Sequence, residues 1–265
     1  PNADLNMVGP FIFLDHLGPA VFPPGKGVDV RPHPHINLAT VTYLFEGALL
    51  HRDSLGTVQE IRPGEVNWMT AGQGISHSER SPDSVRCKGS QFHGIHTWLA
   101  LPECSDETAP SFHHHPATEI PTWESNGVTV RLIAGEAYNQ VSPVQTFSPI
   151  LYLDLLFPSG GCFSLTTPYS ECAVYSVTPT IALNGHALEQ HRLATLTPNR
   201  SVEITAGPSG RCIVIGGEPL GLRKKWWNFV SSRSERIEKA KRDWRDWKFG
   251  QVPDETEFIP LPEDA

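Results

Sequence analysis

No window of the chain approaches ~18 uninterrupted apolar residues, which excludes a membrane-spanning helix. Positive charge is in short supply as well. Lys and Arg number 21 against 29 Asp and Glu, a net charge of −8. A protein held on nucleic acid by phosphate neutralisation needs a concentrated basic face to overcome that background, so direct nucleic-acid binding is not expected. Cysteine is sparse: five residues, no CxxC, and an odd count that leaves at least one thiol unpaired. Cys162 and Cys172 are spaced to meet across a hairpin, but reduced, half-buried thiols and a cytoplasmic setting are the expectation. No signal peptide is visible, and the chain opens on Pro1 in place of Met, so residues ahead of it are expected to be missing. Motifs of nucleotide and acyl chemistry are absent too. "GQGIS" (72–76) lacks the further glycine and following helix of a phosphate loop, and Ser76-His77-Ser78 is not embedded in GxSxG.

Glycine (22) and proline (24) are scattered along the 265 residues, and 39% of the chain is hydrophobic against 19% charged. Short apolar or alternating runs recur: "FIFLDHL", "ATVTYLFEGALLHRD", "GEVNWMT", "GIHTWLAL", "VTVRLIAG", "LYLDLLF", "CAVYSVT" and "SVEITA". Turn signals such as "SLG", "RPG", "SNG", "PSGG" and "LNG" separate them. Many short strands at this spacing predict an all-β protein of antiparallel sandwich or barrel type. One long helical pattern appears, "SSRSERIEKAKRDWRDW". It is expected to open on a capping box of Ser232 and Glu235, with Ile237, Ala240, Trp244 and Trp247 on its apolar face and a solvated charged face opposite. Trp226, Trp227 and Trp244 read as packing anchors.

A weak internal echo suggests duplication. Gly27 is followed after five residues by His33-Pro34-His35, and Gly161 after five residues by Thr167-Pro168-Tyr169. Apolar strands follow in both places, in matched order. The polar connector "SFHHHPATEIPTWESNG" is the expected boundary. Three parts result: residues 1–117, residues 118–225 and a C-terminal helical segment with its tail, 226–265.

Residues i and i+2 of a strand share a face, so His33 and His35 in "RPHPHINLATVTYLFEG" project together. "GISHSER" repeats that spacing with His77 and Glu79. Adjacent antiparallel strands would bring both pairs to one point inside a barrel. Three imidazoles and a carboxylate suit a divalent transition metal, with iron, manganese, nickel, copper and zinc all open to imidazole ligation. Closed structural zinc sites usually include Cys, and none lies beside these histidines, which favours an open, reactive site. With 12 His in the chain, one HxH pair is a weak signal; the downstream HxE gives it weight. The remaining histidines are read more plainly. His113, His114 and His115 are assigned to a solvent-exposed linker loop, His93 and His96 to opposite faces of a strand in structural roles, and Asp15 and His16 to a loop.

"HPHINLATVTYLFEG", "NWMTAGQGISHSE", and "IAGEA" followed by "LYLDLLFP" resemble the pirin family, bicupins of the cupin superfamily. The likeness runs from "GPFIFLDHLGP" through "GGEPL" into "WWNFVSSRSERIEKAKRDW". It implies two cupin-type β-barrels, the N-terminal one binding iron(II) through His33, His35, His77 and Glu79 and the C-terminal one without metal. His186 and His191 do not restore the ligand pattern there. It also implies a quercetin 2,3-dioxygenase type of activity on flavonol-like enolic substrates with dioxygen, Glu79 acting as the catalytic base. Pirins are linked as well to regulation, which gives the alternative of a redox-sensitive metalloprotein that binds a transcription factor or a metabolic enzyme. Two departures stand out. Ala39 and Thr40 occupy the place where the general cupin motif has a Glu. Asn37 stands where a small residue is expected, and reads as a strand-bulge residue in preference to a substrate contact.

Overall fold

The computed structural model describes residues 7–263. The chain divides into two compact units, each made of two separate stretches of sequence. Among the described residues, one unit comprises 13–117 and 221–263, the other 118–220 and 7–12. No helix among the described residues is long and apolar enough to cross a membrane.

The first unit is built from β1 (Phe11–Phe22), β2 (Asp29–His35), β3 (Leu38–Glu46), β4 (Leu49–Asp53), β5 (Val58–Ile61), β6 (Val66–Thr70), β7 (Ile75–Arg80), the short α1 (Asp83–Arg86), β8 (Ser90–Ala100) and β9 (Ser111–His115). They form a five-stranded sheet, β1-β8-β3-β6-β9, and a four-stranded one, β2-β7-β4-β5. The β-branched and aromatic run of β3 is buried on both faces, as a central strand with both sides covered must be. By contrast β4 alternates buried and half-buried residues, its inward positions being Leu49, His51 and Asp53. Leu44, Leu49, Ile61 and Phe92 form one of this unit's apolar clusters.

The second unit is a nine-stranded antiparallel sheet of β10 (Thr122–Ser125), β11 (Val128–Ala137), β12 (Gln140–Val141), β13 (Ile150–Leu165), β14 (Glu171–Ser176), β15 (Ile181–Leu183), β16 (His186–Ala187), β17 (Leu193–Thr195) and β18 (Val202–Gly217). The 16-residue strands β13 and β18 pair from Ile150↔Gly217 to Leu165↔Val202. Alternate residues of β13 (Leu151, Leu153, Leu155) join Val130, Leu132, Phe157, Phe163, Cys172, Val174, Ile204 and Val214 in an apolar core. Thr167 and Tyr169, the echo of His33 and His35, lie beyond the end of β13 and outside any strand; His186 and His191 are exposed. All five cysteines are free thiols. Burial pushes the Cys172 thiol up to about 12.

The returning chain adds β19 (Lys224–Trp226), β20 (Phe229–Ser231) and α2 (Ser234–Arg245) to the first unit. Trp226 and Trp227 pack against a cluster of Ile36, Phe229, Ile237, Ala240, Trp244 and Phe249, the anchoring role expected of these tryptophans. The expected Ser232 capping box does not form. Pairing of Lys224 with Ser231 holds the backbone extended through Ser231, so the helix starts at Ser234 with Arg233 as its N-cap and no side-chain cap. The far end also differs from expectation. The helix stops at Arg245, and Trp247 adopts a left-handed φ of 59°. Lys248 N–H then reaches the Asp243 carbonyl and Trp247 N–H the Trp244 carbonyl, a Schellman closure. This turns Trp247 off the apolar face to pack on Phe258, 55% exposed.

Two assigned loops are strands. "SFHHH" forms β9, pairing antiparallel with β6 from Val66↔His115 to Thr70↔Ser111, because the edge of the five-stranded sheet offers β6 no other partner. Asp15 and His16 lie within β1, where His16 Nε2 stands 2.7 Å from His93 Nε2.

Candidate metal centre

The site grows from a bulge. β2 and β7 pair Asp29↔Arg80 and Val30↔Glu79, then shift register and resume at His33↔His77. Arg31 and Pro32 therefore oppose Ser78 alone, and proline is tolerated at such an irregularity. The shift sets His33 directly opposite His77, with His35 following on the same face. The ring centroids of His33 and His77 are 4.4 Å apart, those of His33 and His35 5.0 Å, and those of His35 and His77 5.1 Å. One nitrogen from each ring lies within 4.8 Å of the others. All three rings are buried, His35 at 0% exposure.

Hydrogen bonds fix two of the tautomers. His33 Nδ1 lies 2.9 Å from the Arg31 carbonyl and His35 Nδ1 3.2 Å from the Asn228 carbonyl. A carbonyl can only accept, so each Nδ1 carries the proton and each Nε2 keeps a lone pair. Protein carbonyls orient metal-binding imidazoles in the same way. His35 Nε2 and both nitrogens of His77 are buried without a hydrogen-bond partner. Leaving such groups unsatisfied costs about 1–3 kcal/mol each, so a purely structural cluster would be expensive. Burial pushes the His33, His35 and His77 pKa values below the ordinary 6.5, His35 and His77 well below it, and the neighbouring imidazoles add to the shift at His35 and His77. Neutral rings with unshared lone pairs fit a divalent transition metal.

Glu79 follows His77 at i+2 on the same face and is half-buried. It is not one of the three groups that converge within 4.8 Å. Burial pushes its carboxyl up, but the surrounding imidazoles and the Thr42 hydroxyl outweigh this and hold it below its ordinary 4.5. Thr42 Oγ1 donates to Glu79 Oε1 at 2.9 Å, spanning from the five-stranded sheet to the four-stranded one.

A further pair sits beside these residues. β4 places His51 opposite Glu79 and Asp53 opposite His77. His51 Nε2 donates to Asp53 Oδ2 at 2.9 Å, and Asp53 Oδ1 accepts from the amides of Leu55 and Thr57. Burial raises the Asp53 pKa, while His51 and the amides more than offset it and leave the carboxyl below 3.8. Phe112 of β9 stacks on His51 at 4.3 Å, so part of the "SFHHHP" segment reaches the site's surroundings. The sequence carried a signal for this pair: "HRD" in "LLHRD" repeats the i, i+2 spacing of the other two pairs.

His96, assigned a structural role, has Nδ1 3.1 Å from Thr42 Oγ1. Asn37 is not a bulge within a ladder. Its φ is 54°, its N–H donates to the Gly72 carbonyl, and its side-chain amide donates to the Asp106 carbonyl at 2.5 Å. It turns the chain between β2 and β3, a left-handed position that glycine or asparagine fills best.

The fold and the sequence agree in their relatives. A pirin family model matches residues 1–99, and a model of the pirin C-terminal cupin domain matches residues 152–250. A pirin-like protein of Caulobacter vibrioides is 47% identical over 262 residues, covering 97% of this chain and 90% of the relative. The crystal structure of a quercetin 2,3-dioxygenase from Acinetobacter baumannii superposes with a TM-score of 0.93 at 35% identity, over 100% of this chain and 89% of the other. The nickel(II) complex of the Escherichia coli pirin YhhW has a TM-score of 0.62 at 18% identity, over 83% and 87% of the two chains, a likeness of fold alone. Family models over both halves and a relative 47% identical over nearly the whole chain place it in the pirin family.

Proposed function

We propose that the protein is a metal-dependent dioxygenase of quercetin 2,3-dioxygenase type, acting on flavonol-like enolic substrates. The observation that carries the reading is the convergence of three buried, neutral imidazoles with partnerless nitrogens. It is supported by the likeness to the Acinetobacter baumannii quercetin 2,3-dioxygenase. His33, His35, His77 and Glu79 would hold the metal, with iron(II) as the first candidate.

When bound, the metal supplies Lewis acidity that lowers the pKa of an enolic hydroxyl. The rest falls to the chain. Carbonyls of Arg31 and Asn228 fix the directions in which His33 and His35 present Nε2. Glu79, kept ionised in neutral solution, accepts the enol proton as general base. The Trp98 ring, 5.0 Å from His35, gives the neighbourhood an apolar wall that keeps water from the deprotonated substrate.

The test is oxygen uptake with quercetin on protein loaded with iron(II), alongside metal analysis. Wild type should turn over. His77→Ala should lose both metal and uptake. Glu79→Gln should lower uptake at least about 100-fold, in line with general-base contributions. A metal-replete wild type that consumes no oxygen across a panel of enolic substrates would refute the reading.

A further inference from the structure

The polar chain behind Glu79 has a direction that its chemistry dictates. Trp98 Nε1–H lies 3.0 Å from His96 Nε2. An indole nitrogen donates and never accepts, so His96 Nε2 must offer its lone pair. The single proton of His96 is therefore on Nδ1, which donates to Thr42 Oγ1 at 3.1 Å. With that lone pair engaged, the Thr42 hydroxyl spends its one proton on Glu79 Oε1 at 2.9 Å. The order Trp98, His96, Thr42, Glu79 has one polarity and no alternative arrangement of hydrogens.

The framework that holds it is rigid. Trp98 and His96 share a face of β8 at i and i+2, and His96 sits directly across from Thr42 on β3. Trp98 is 8% exposed, His96 9% and Thr42 4%. Trp98 is itself clamped, with Phe13 4.3 Å from one side of its ring system and His35 set edge-on.

We propose that Thr42 and His96 are positioning residues that hold Glu79 Oε1 as a hydrogen-bond acceptor and so fix the direction in which Oε2 is presented to a metal or a substrate proton. The inference rests on Glu79 belonging to the proposed site. A carboxylate held in this way would present Oε2 foremost to a cation. Releasing Oε1 would let the carboxylate swing or chelate, changing the cation's surroundings without touching any imidazole.

Cobalt(II) serves as the probe, because its d–d absorption reports coordination number and its affinity can be measured by chelator competition. Thr42→Val is nearly isosteric and removes the donor; His96→Leu removes the group that aims it. Both should change the cobalt spectrum and weaken binding by about 10–100-fold, the range for lost outer hydrogen bonds at metal sites. His96→Gln offers one acceptor to Trp98 and one donor to Thr42, and Thr42→Ser keeps the hydroxyl, so both should restore the wild-type spectrum and affinity. A purely structural role would not be rescued by polarity. The inference is overturned if Thr42→Val has the wild-type spectrum and affinity, or if His96→Gln behaves like His96→Leu. Glu79→Gln separates the two levels. If it too leaves cobalt binding unchanged, the assignment of Glu79 to the site fails and takes the inference with it; if it alters binding while Thr42→Val does not, only the positioning chain fails.

Discussion

An imidazole held neutral inside a barrel makes acid act on the unfolded chain first. Burial, then neighbouring rings, place the His35 and His77 pKa values well below the ordinary 6.5. Above that value folded and unfolded chains are both neutral at these positions, and pH has no effect through them. As pH falls through 6.5 the unfolded chain takes up protons that the folded chain refuses. Stability then drops by about 1.4 kcal/mol per pH unit for each such histidine, until its folded pKa is reached. Metal-free protein should therefore show urea midpoints that hold from pH 8 to 7 and fall between pH 6.5 and 5. The double variant His35→Gln, His77→Gln should flatten that slope; an unchanged slope would mean that the two rings are not what titrates. These residues were legible in the sequence because i, i+2 spacing fixes a face without knowledge of any partner. Thr42 and the part played by His96 were not, since each joins the site only through what another strand sets opposite, Thr42↔His96 across β3 and β8; His51 and Asp53 share the i, i+2 spacing, but only the pairing His51↔Glu79 of β4 with β7 ties them to this site.

Elements were legible to the degree that they are determined locally. The β-branched runs and turn residues announced the strands, whereas the start of α2 was displaced by a strand pairing seven residues apart, Lys224↔Ser231. β7 shows the same dependence on distant chain. It emerges from Gly74, whose φ is 141°, and a Cβ there would lie 2.3 Å from Phe249 Cε1. Phe249 belongs to the segment after α2, and the carbonyl of the next residue, Gly250, accepts from Ser76 Oγ at 3.2 Å. Arg80, at the other end of β7, makes a paired contact with Glu255 at 2.7 and 2.6 Å. The C-terminal tail thus braces the strand that carries His77 and Glu79. Gly74→Ala should cost about 1–3 kcal/mol through overpacking together with its unfavourable φ, read as a lowered urea midpoint. Adding Phe249→Ala should recover the steric part, so that the double variant loses less than the sum of the single ones. Additive losses would show that the ring does not oppose the new methyl group.

Across the whole molecule, two barrels divide the chemistry unequally. The first places histidines and carboxylates on the inward face of its four-stranded sheet, at a cost in unsatisfied polar atoms. The second fills its interior largely with Leu, Val, Ile and Phe side chains, which offer a metal no ligand. A ligand that binds only the folded state stabilises by about 2.7 kcal/mol at one hundred times its Kd, and that gain belongs to the structure it holds. Hydrogen exchange resolves where it goes. Loading the protein with iron(II) or manganese(II) should slow amide exchange in β2, β4 and β7, which carry His33, His35, His51, Asp53, His77 and Glu79, by about tenfold or more wherever opening exposes the site. Amides of β13 and β18 should exchange at unchanged rates if the second barrel opens independently. Equal slowing throughout would mean that the two units open as one cooperative body, and slowing confined to β13 and β18 would place the cation in the wrong barrel.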